Sequence, residues 1–476
     1  MICLIRVPAV ESFRFSTGSI APPLGLAYIA AAVEASGRIV HLIDAVSEAP
    51  TTTCSYIRGY LVGLRFDQIV ERVPPETGVI GISIVFTHEW PAAAILVELL
   101  RSRFPLAKII LGGEHVTAMP EFCLATSPAD IVVLGEGEET IIDLLSAIED
   151  GGDLTRIPGT AVRVGERVHM NSRRERRRDI DNICLPAWHH VRLEVYHAHG
   201  FVGGMDSESL TVPVLATRGC PYQCTYCSSP RMWSPRWIAR DPVKVVDEIE
   251  YYVKTRGARN FPFQDLTAIL KKDWIVQFCR EVIQRDLSIT WLLPTGTRLE
   301  AVDEQVAHLL KRSGMVSMAF APESGSESTR EIIRKRMQTD ALFQAIADAG
   351  KADLNVAIFV VIGFPHETRL SLHENIDFVK RLREYPVKDL SIGSYMALPG
   401  TELFDTLYDS GAIRIDRNWF RSMLDGNALL PLRRWNQNVS RFEFFLAKIW
   451  IYLVFYVRLR LGEDRASVVL ANRLNY

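Results

Sequence analysis

The chain has 476 residues, too many for one ordinary hydrophobic core, so two or three domains are expected. Its 54 Lys and Arg against 56 Asp and Glu leave a formal net charge of −2, which excludes the global basic field that nucleic-acid binders use. Eight scattered cysteines fit a reducing cytoplasm, as does an N-terminus, Met1-Ile-Cys-Leu-Ile-Arg6, that reads as a short strand rather than a signal peptide.

In chain order, apolar strand-like runs first alternate with amphipathic stretches: Ile2–Val7, Leu24–Ser36, Ile39–Asp44, Val79–Val85, Pro91–Arg103, Ala107–Leu111, Ile131–Leu134 and Glu138–Ile148. That alternation predicts an α/β fold, a parallel sheet with helices on both faces, over residues 1–150. Ligands of such sheets sit beyond the carboxyl ends of the strands. The loops there are Phe86-Thr87-His88-Glu89-Trp90, Gly112-Gly113-Glu114-His115 and Gly135-Glu136-Gly137-Glu138. Glycine lets backbone approach a ligand and the next helix offers free N–H groups, although each loop taken singly also reads as a plain tight turn.

As an ordered set, Pro22-Pro23-Leu24-Gly25, Gly81-Ile82-Ser83, Leu111-Gly112-Gly113-Glu114-His115 and Gly135-Glu136-Gly137-Glu138 resemble the N-terminal cobalamin-binding domain of one large radical S-adenosylmethionine (SAM) class. The resemblance implies a doubly wound, Rossmann-like domain with the corrin ring against these loops and its nucleotide tail threaded into the domain. Ser83, Thr87, Gly112, Gly113, His115, Gly135, Glu136 and Gly137 are the contacts it implies. No Asp-x-His-x-x-Gly run occurs, so a bound cobalamin is expected to lack a histidine ligand from that motif. His115, and equally His88, also reads as a side chain that bonds its own loop or a corrin amide.

Residues 151–210 read as a linker able to cover an active site. A hairpin is expected over Thr160–Val164 and Arg167–Asn171, and Arg173-Arg-Glu-Arg-Arg-Arg178 reads as a solvated connector or a contact for an anionic group. His189, His190, His197 and His199 match no zinc spacing.

The strand Val212–Arg218 then runs into Gly219-Cys220-Pro-Tyr-Gln-Cys224-Thr-Tyr226-Cys227. Three cysteines at C-x3-C-x2-C can ligate three irons of a [4Fe–4S] cluster and leave the fourth iron open to an exogenous chelator. A structural zinc site would need a fourth Cys or His with its own spacing. Beyond it, Asn260–Gln264, Asp273–Gln284, Ile289–Leu293, Asp303–Arg312, Val316–Phe320, Asn355–Val361, Leu370–Leu382 and Leu390–Tyr395 alternate again, as in a partial (β/α)6 barrel over 211–400.

The cysteine run, with Tyr226 before its last member, resembles the radical SAM superfamily. So do Ala321-Pro-Glu323-Ser324-Gly-Ser326, Gly363-Phe-Pro365-His-Glu367-Thr and Pro399-Gly-Thr401. The resemblance makes Cys220, Cys224 and Cys227 the cluster ligands, and makes Tyr226, Glu323, Ser324, Gly363 and Pro365 SAM-binding positions. Ser324 and Glu327 are also spaced as a helix capping box. Gln264 stands where relatives often carry an acid.

Together the two resemblances identify the chain as a member of the cobalamin-binding-domain-containing (class B) radical SAM enzymes. They imply a [4Fe–4S] cluster, SAM, cobalamin and an electron donor such as flavodoxin or ferredoxin. The implied reaction is methylation of an unactivated carbon of a small molecule, lipid or natural-product intermediate, through a 5′-deoxyadenosyl radical and methylcobalamin. The alternative is a cyclase or oxidative reaction of the anaerobic magnesium-protoporphyrin ester cyclase type, without methyl transfer.

Residues 401–476 read as a mainly helical region forming part of the substrate pocket or a partner surface. Its apolar run 442–461 is broken by Glu443, Lys448, Arg458 and Arg460, too early to span a bilayer of about 30 Å. It reads as a buried or partner-facing helix, or as one lying in a membrane interface.

Overall fold

The computed structural model describes residues 1–12, 20–57, 59–201, 208–424, 426 and 435–457. The N-terminal strands are β1 (Ile2–Arg6), β2 (Val40–Asp44), β3 (Val79–Ser83), β4 (Lys108–Gly112), β5 (Ile131–Val133), β6 (Thr160–Val164) and β7 (Arg167–Met170). They form one sheet in the order β7-β6-β5-β4-β3-β1-β2. Strands β1 to β5 are mutually parallel, with β1 between β2 and β3, so the strand order reverses at the β1/β3 boundary. The carboxyl ends at such a reversal open a crevice, and here they are Arg6 and Ser83.

The apolar runs form these strands because both faces of the sheet are covered. The helix Leu24–Ala35 buries Leu26, Ala27, Ala30 and Val33, and Trp90–Arg103 buries Ala93, Leu96, Val97 and Leu100, at the three- and four-residue spacing of a helical face. The hairpin β6–β7, expected within the linker, instead joins the sheet: β6 pairs antiparallel with β5, and its Ala161 and Val162 are buried. A small antiparallel sheet of Ala9–Ser12, Thr53–Tyr56 and Gly59–Val62 was not evident from sequence, since each strand is four residues long.

The second sheet contains β8 (Asn260–Pro262), β9 (Thr290–Thr297), β10 (Met315–Glu323), β11 (Asn355–Ile362) and β12 (Val387–Ser394), all parallel and adjacent in chain order. The expected strand over Val212–Arg218 is broken. Thr211 and Val214 make isolated parallel bridges to Asn260 and Phe263, and only Thr217–Arg218 is regular, paired antiparallel with Ile238–Ala239. The N–H groups of Val212 and Val214 still donate to the carbonyls of Asn260 (2.8 Å) and Pro262 (3.1 Å), so Pro213 occupies the intervening position, where β8 needs no donor. With that irregular first strand the barrel has six staves, and the cysteine loop leaves its first one.

The helix Arg441–Tyr452 turns Phe444, Ala447, Lys448 and Ile451 inward, continues into a wide turn over Leu453–Val457, and packs along β12. The hydroxyls of Tyr452 and Tyr456 accept from the backbone N–H groups of Ile392 (3.3 Å) and Leu390 (3.1 Å), so the edge strand does not offer these donors to another chain. Lys448, an interruption in the apolar run, is buried and donates to Ser394 Oγ at 3.1 Å. No described helix is long and apolar enough to cross a membrane, and residues 458–461 of the run lie outside the described ones.

Candidate functional site

Between the two sheets lies a cavity of about 400 Å³. Its walls are Ser83, Gly112, Gly113, Gly135, Glu136 and Gly137 from the N-terminal loops, Tyr28 and Ile29 from the first helix, and Leu215, Thr217, Arg218, Gln264 and Leu266 from the barrel. Glycine suits the surface in two ways. A Cβ at Gly81, also on the wall, would come 2.8 Å from Leu4 Cδ2, whereas one at Gly112 would meet no atom within 4 Å and would stand in open space. A cradle of bare backbone with apolar flanks such as Leu4, Ile110 and Val133 fits the nucleotide tail of a corrin.

Six of the eight cobalamin positions expected from sequence line this cavity; Thr87 and His115 do not. His115 is buried against Trp90 and Phe420, with ring centroids 5.6 and 6.5 Å away, and its Nδ1 lies 3.3 Å from Thr87 Oγ1. Desolvation lowers its pKa to about 3, so the imidazole is neutral and packs as part of the core. Its contact with Phe420 also shows where the C-terminal region goes: Trp419 and Phe420 pack on the N-terminal domain and are absent from the cavity wall.

The cysteine loop opens at the same cavity. Gly219 has φ +82°, and a Cβ there would lie 2.3 Å from the Arg236 carbonyl oxygen, so the turn into Cys220 requires glycine. Cys220, Cys224 and Cys227 are all partly exposed. Their thiols are not among the described groups whose donor atoms converge within 4.8 Å, the arrangement a single ion demands. A wider spread suits three irons of one cluster. Burial raises all three thiol pKa values, Cys227 to about 12, while Lys335 and Arg298 oppose the rise at Cys220 and Cys224. The loop is held from the barrel side too, because Thr225 N–H donates to Ile333 O (3.1 Å) and Thr225 O accepts from Leu403 N–H (3.0 Å), just past the Pro-Gly-Thr element.

The positions that the sequence resemblance implies for SAM lie beside it. Tyr226 stands edge-on to Phe364 at 5.7 Å, and Phe364 lies in the turn that starts at Gly363. Glu323 ends β10 in a left-handed conformation, φ +66°, rare for a residue with a Cβ, and accepts from Lys335 Nζ at 3.1 Å. Ser324 does not cap the following helix. Its Oγ donates to Asn375 Oδ1 (3.1 Å), and the cap is Ser326, whose Oγ accepts from Thr329 N–H. Glu367 and Asn436 secure the Gly-Phe-Pro turn: Glu367 accepts from Asn375 Nδ2 at 3.1 Å, and Asn436 Nδ2 donates to the carbonyls of Phe364 and Glu367.

Sequence reasoning missed the residues that join the two halves. Arg218 Nη1 is 3.3 Å from Glu136 Oε1 and Nη2 is 2.5 Å from Glu138 Oε1, with the guanidinium over the Tyr28 ring. Ser228, after Cys227, donates from Oγ to Glu114. Thus each end of the cysteine loop lands on a different glycine loop of the N-terminal domain. The arginine run is only in part a solvated connector: Arg173, Glu175 and Arg178 are exposed, whereas Arg176 faces Glu136 and donates to Arg236 O, and Arg174 pairs with Asp143. Asp265, beside the departure at Gln264, accepts from Thr217 Oγ1 at 2.6 Å and from Ala216 N–H at 3.2 Å, pinning the strand that feeds the loop.

Residues 13–145 match the B12 binding domain family and residues 214–379 match the radical SAM superfamily. An uncharacterized methyltransferase of Pyrococcus horikoshii is 27% identical over 88% of this chain and 85% of its own length. The anaerobic magnesium-protoporphyrin IX monomethyl ester cyclase of Synechocystis is 31% identical over 68% of this chain and 61% of its own. The radical SAM methyltransferase TsrM of Kitasatospora setae, solved with cobalamin and a [4Fe–4S] cluster bound, shares the fold with a TM-score of 0.67 at 16% identity, covering 86% of this chain and 78% of its own.

Proposed function

This chain belongs to the radical SAM enzymes that carry an N-terminal cobalamin-binding domain, and on that premise we propose that it is a methyltransferase acting on an unactivated carbon of a small molecule, lipid or natural-product intermediate. The observation that carries the reading is the locking of the cysteine loop, at both ends, onto the loops that line the cavity. When bound, the cluster with SAM supplies a 5′-deoxyadenosyl radical and cobalamin supplies the methyl group. Cys220, Cys224 and Cys227 would hold the cluster; Tyr226, Glu323, Ser324, Gly363 and Pro365 would hold SAM. Ser83, Gly112, Gly113, Gly135, Glu136 and Gly137 would hold cobalamin.

The protein's own contribution is placement and exclusion of water. Glu323 offers a carboxylate suited to an ammonium, and Lys335 Nζ, 3.1 Å away, helps to hold it in place. The ion pairs at Arg218 fix the distance between the two cofactor loops, so that a substrate lying between them meets both. An electron donor such as flavodoxin or ferredoxin is needed to reduce the cluster. The exposed side of the C-terminal helix, Phe442, Leu446 and Trp450, supports a peripheral membrane contact of a cytoplasmic enzyme, which liposome flotation would test.

Anaerobically reconstituted enzyme, given methyl-labelled SAM and a small-molecule extract, should yield a labelled product. Formation of 5′-deoxyadenosine with no label in any product would sink methyl transfer. It would favour the second reading, a cyclase-type oxidation, which the 31% identity to the protoporphyrin ester cyclase supports.

A further inference from the structure

Glu34 stands in the last turn of the helix Leu24–Ala35, at the end remote from the glycine loops. Facing it is the turn Trp188–His190 of the connector between the domains. Glu34 Oε1 accepts from His189 Nε2 at 3.0 Å and from His190 Nε2 at 2.7 Å, and the two rings are 4.3 Å apart, tilted by 42°. Among the described residues this is the group of His, Cys, Asp or Glu side chains that brings three donor atoms within 4.8 Å of one another. None of the three lines the cavity.

We propose that Glu34, His189 and His190 bind a divalent transition-metal cation, zinc by preference, which staples the connector to the N-terminal domain. Bonds of about 2.0–2.1 Å from a tetrahedral zinc place neighbouring ligand atoms about 3.3 Å apart. The observed 2.7 and 3.0 Å need to open by about 0.6 and 0.3 Å to reach that separation. Two imidazoles and one carboxylate favour zinc, nickel or copper over calcium or magnesium, which take mostly oxygen ligands. The fourth position falls on the outer side, where His189 is 57% exposed and water completes the shell.

The ligands are also held in advance. Trp188 and Val191 flank the histidine pair and are 1% and 4% exposed, and Ala187 N–H donates to Ala27 O at 3.0 Å. Glu34 follows Val33, which is fully buried. The donors thus project from two anchored elements, so little conformational freedom is lost when a cation arrives. The connector passes from this turn toward the first barrel stave, so a cation here would fix the path between the two domains.

The test counts zinc, iron and corrin per chain in anaerobically reconstituted, cobalamin-loaded enzyme equilibrated with micromolar zinc and then desalted. The wild-type protein should retain about one zinc more per chain than Glu34→Gln or His189→Asn, with iron and corrin unchanged. Zinc should raise the melting temperature of the wild type and leave both variants unmoved. His189 is exposed, so its variant tests the site without burdening the core. Equal zinc in wild type and variants, or none in the wild type, overturns the proposal.

Discussion

Arg218, two residues ahead of Cys220, places its guanidinium between Glu136 and Glu138 of the opposite domain, 3.3 and 2.5 Å from their carboxylate oxygens. The arginine side chain is 5% exposed, and the carboxylates 13% and 16%. Removing one partner from such a pair leaves charge buried without compensation, at about 3–5 kcal/mol. Arg218→Gln should therefore destabilise the protein by about 3 kcal/mol or more. In a cycle with Glu136→Gln, urea unfolding should show a coupling above about 1 kcal/mol; additivity within about 0.5 kcal/mol would mean the contact does not join the domains.

Replacing Cys220, Cys224 and Cys227 with alanine should abolish cluster iron and 5′-deoxyadenosine formation. The corrin absorption of the cobalamin-loaded protein should persist, because Ser83, Gly112 and Gly135 lie on a separate sheet domain. Loss of corrin together with iron would show that the loop contacts at Glu114 and Glu136 carry more of the cavity's shape than the sheet does.

Gly112 separates cofactor binding from folding. Its ideal Cβ meets nothing within 4 Å, so Gly112→Leu should fold while filling the cavity. We expect at least about a tenfold loss of cobalamin affinity, or about 1.4 kcal/mol, with an unchanged iron content and melting temperature. Retained affinity would place the corrin elsewhere.

His115 gives the protein an acid-sensitive core. Its pKa falls from 6.5 to about 3 on folding, so the unfolded chain binds the proton more tightly. The contribution is present above pH 6.5 and is lost as pH falls toward 3, by up to about 1.4 kcal/mol per pH unit. His115→Phe keeps the ring packing against Trp90 and Phe420 and should flatten the acid limb of melting temperature against pH. An unaltered limb would assign acid lability to other groups.

Much of the architecture is legible locally. The helix Leu24–Ala35 and the strand Ile131–Val133 fall within one residue at each end of where the apolar pattern places them, the helix because burial of one face imposes a period and the strand because burial of both faces makes its run continuously apolar. The cysteine motif is legible for the same reason: its ligands lie within eight residues of chain, where spacing alone sets what they can reach. Ser324 shows the limit. A capping box is a local pattern, yet Asn375, 51 residues away, takes the hydroxyl, and Ser326 caps instead.

The sequence by itself determined the two α/β domains and the three cysteines, which depend on periodicity and spacing between near neighbours. Tertiary structure alone decided which charged groups meet. Arg218 and Glu136 are 82 residues apart, Ser228 and Glu114 are 114 apart, and each pair forms because packing brings two glycine loops against one cysteine loop. It also decided that His115 faces Trp90 instead of the cavity. His115 lies in the short helix Glu114–Ala118, and the side it turns to depends on what is packed behind it, which so short a helix has no period to encode.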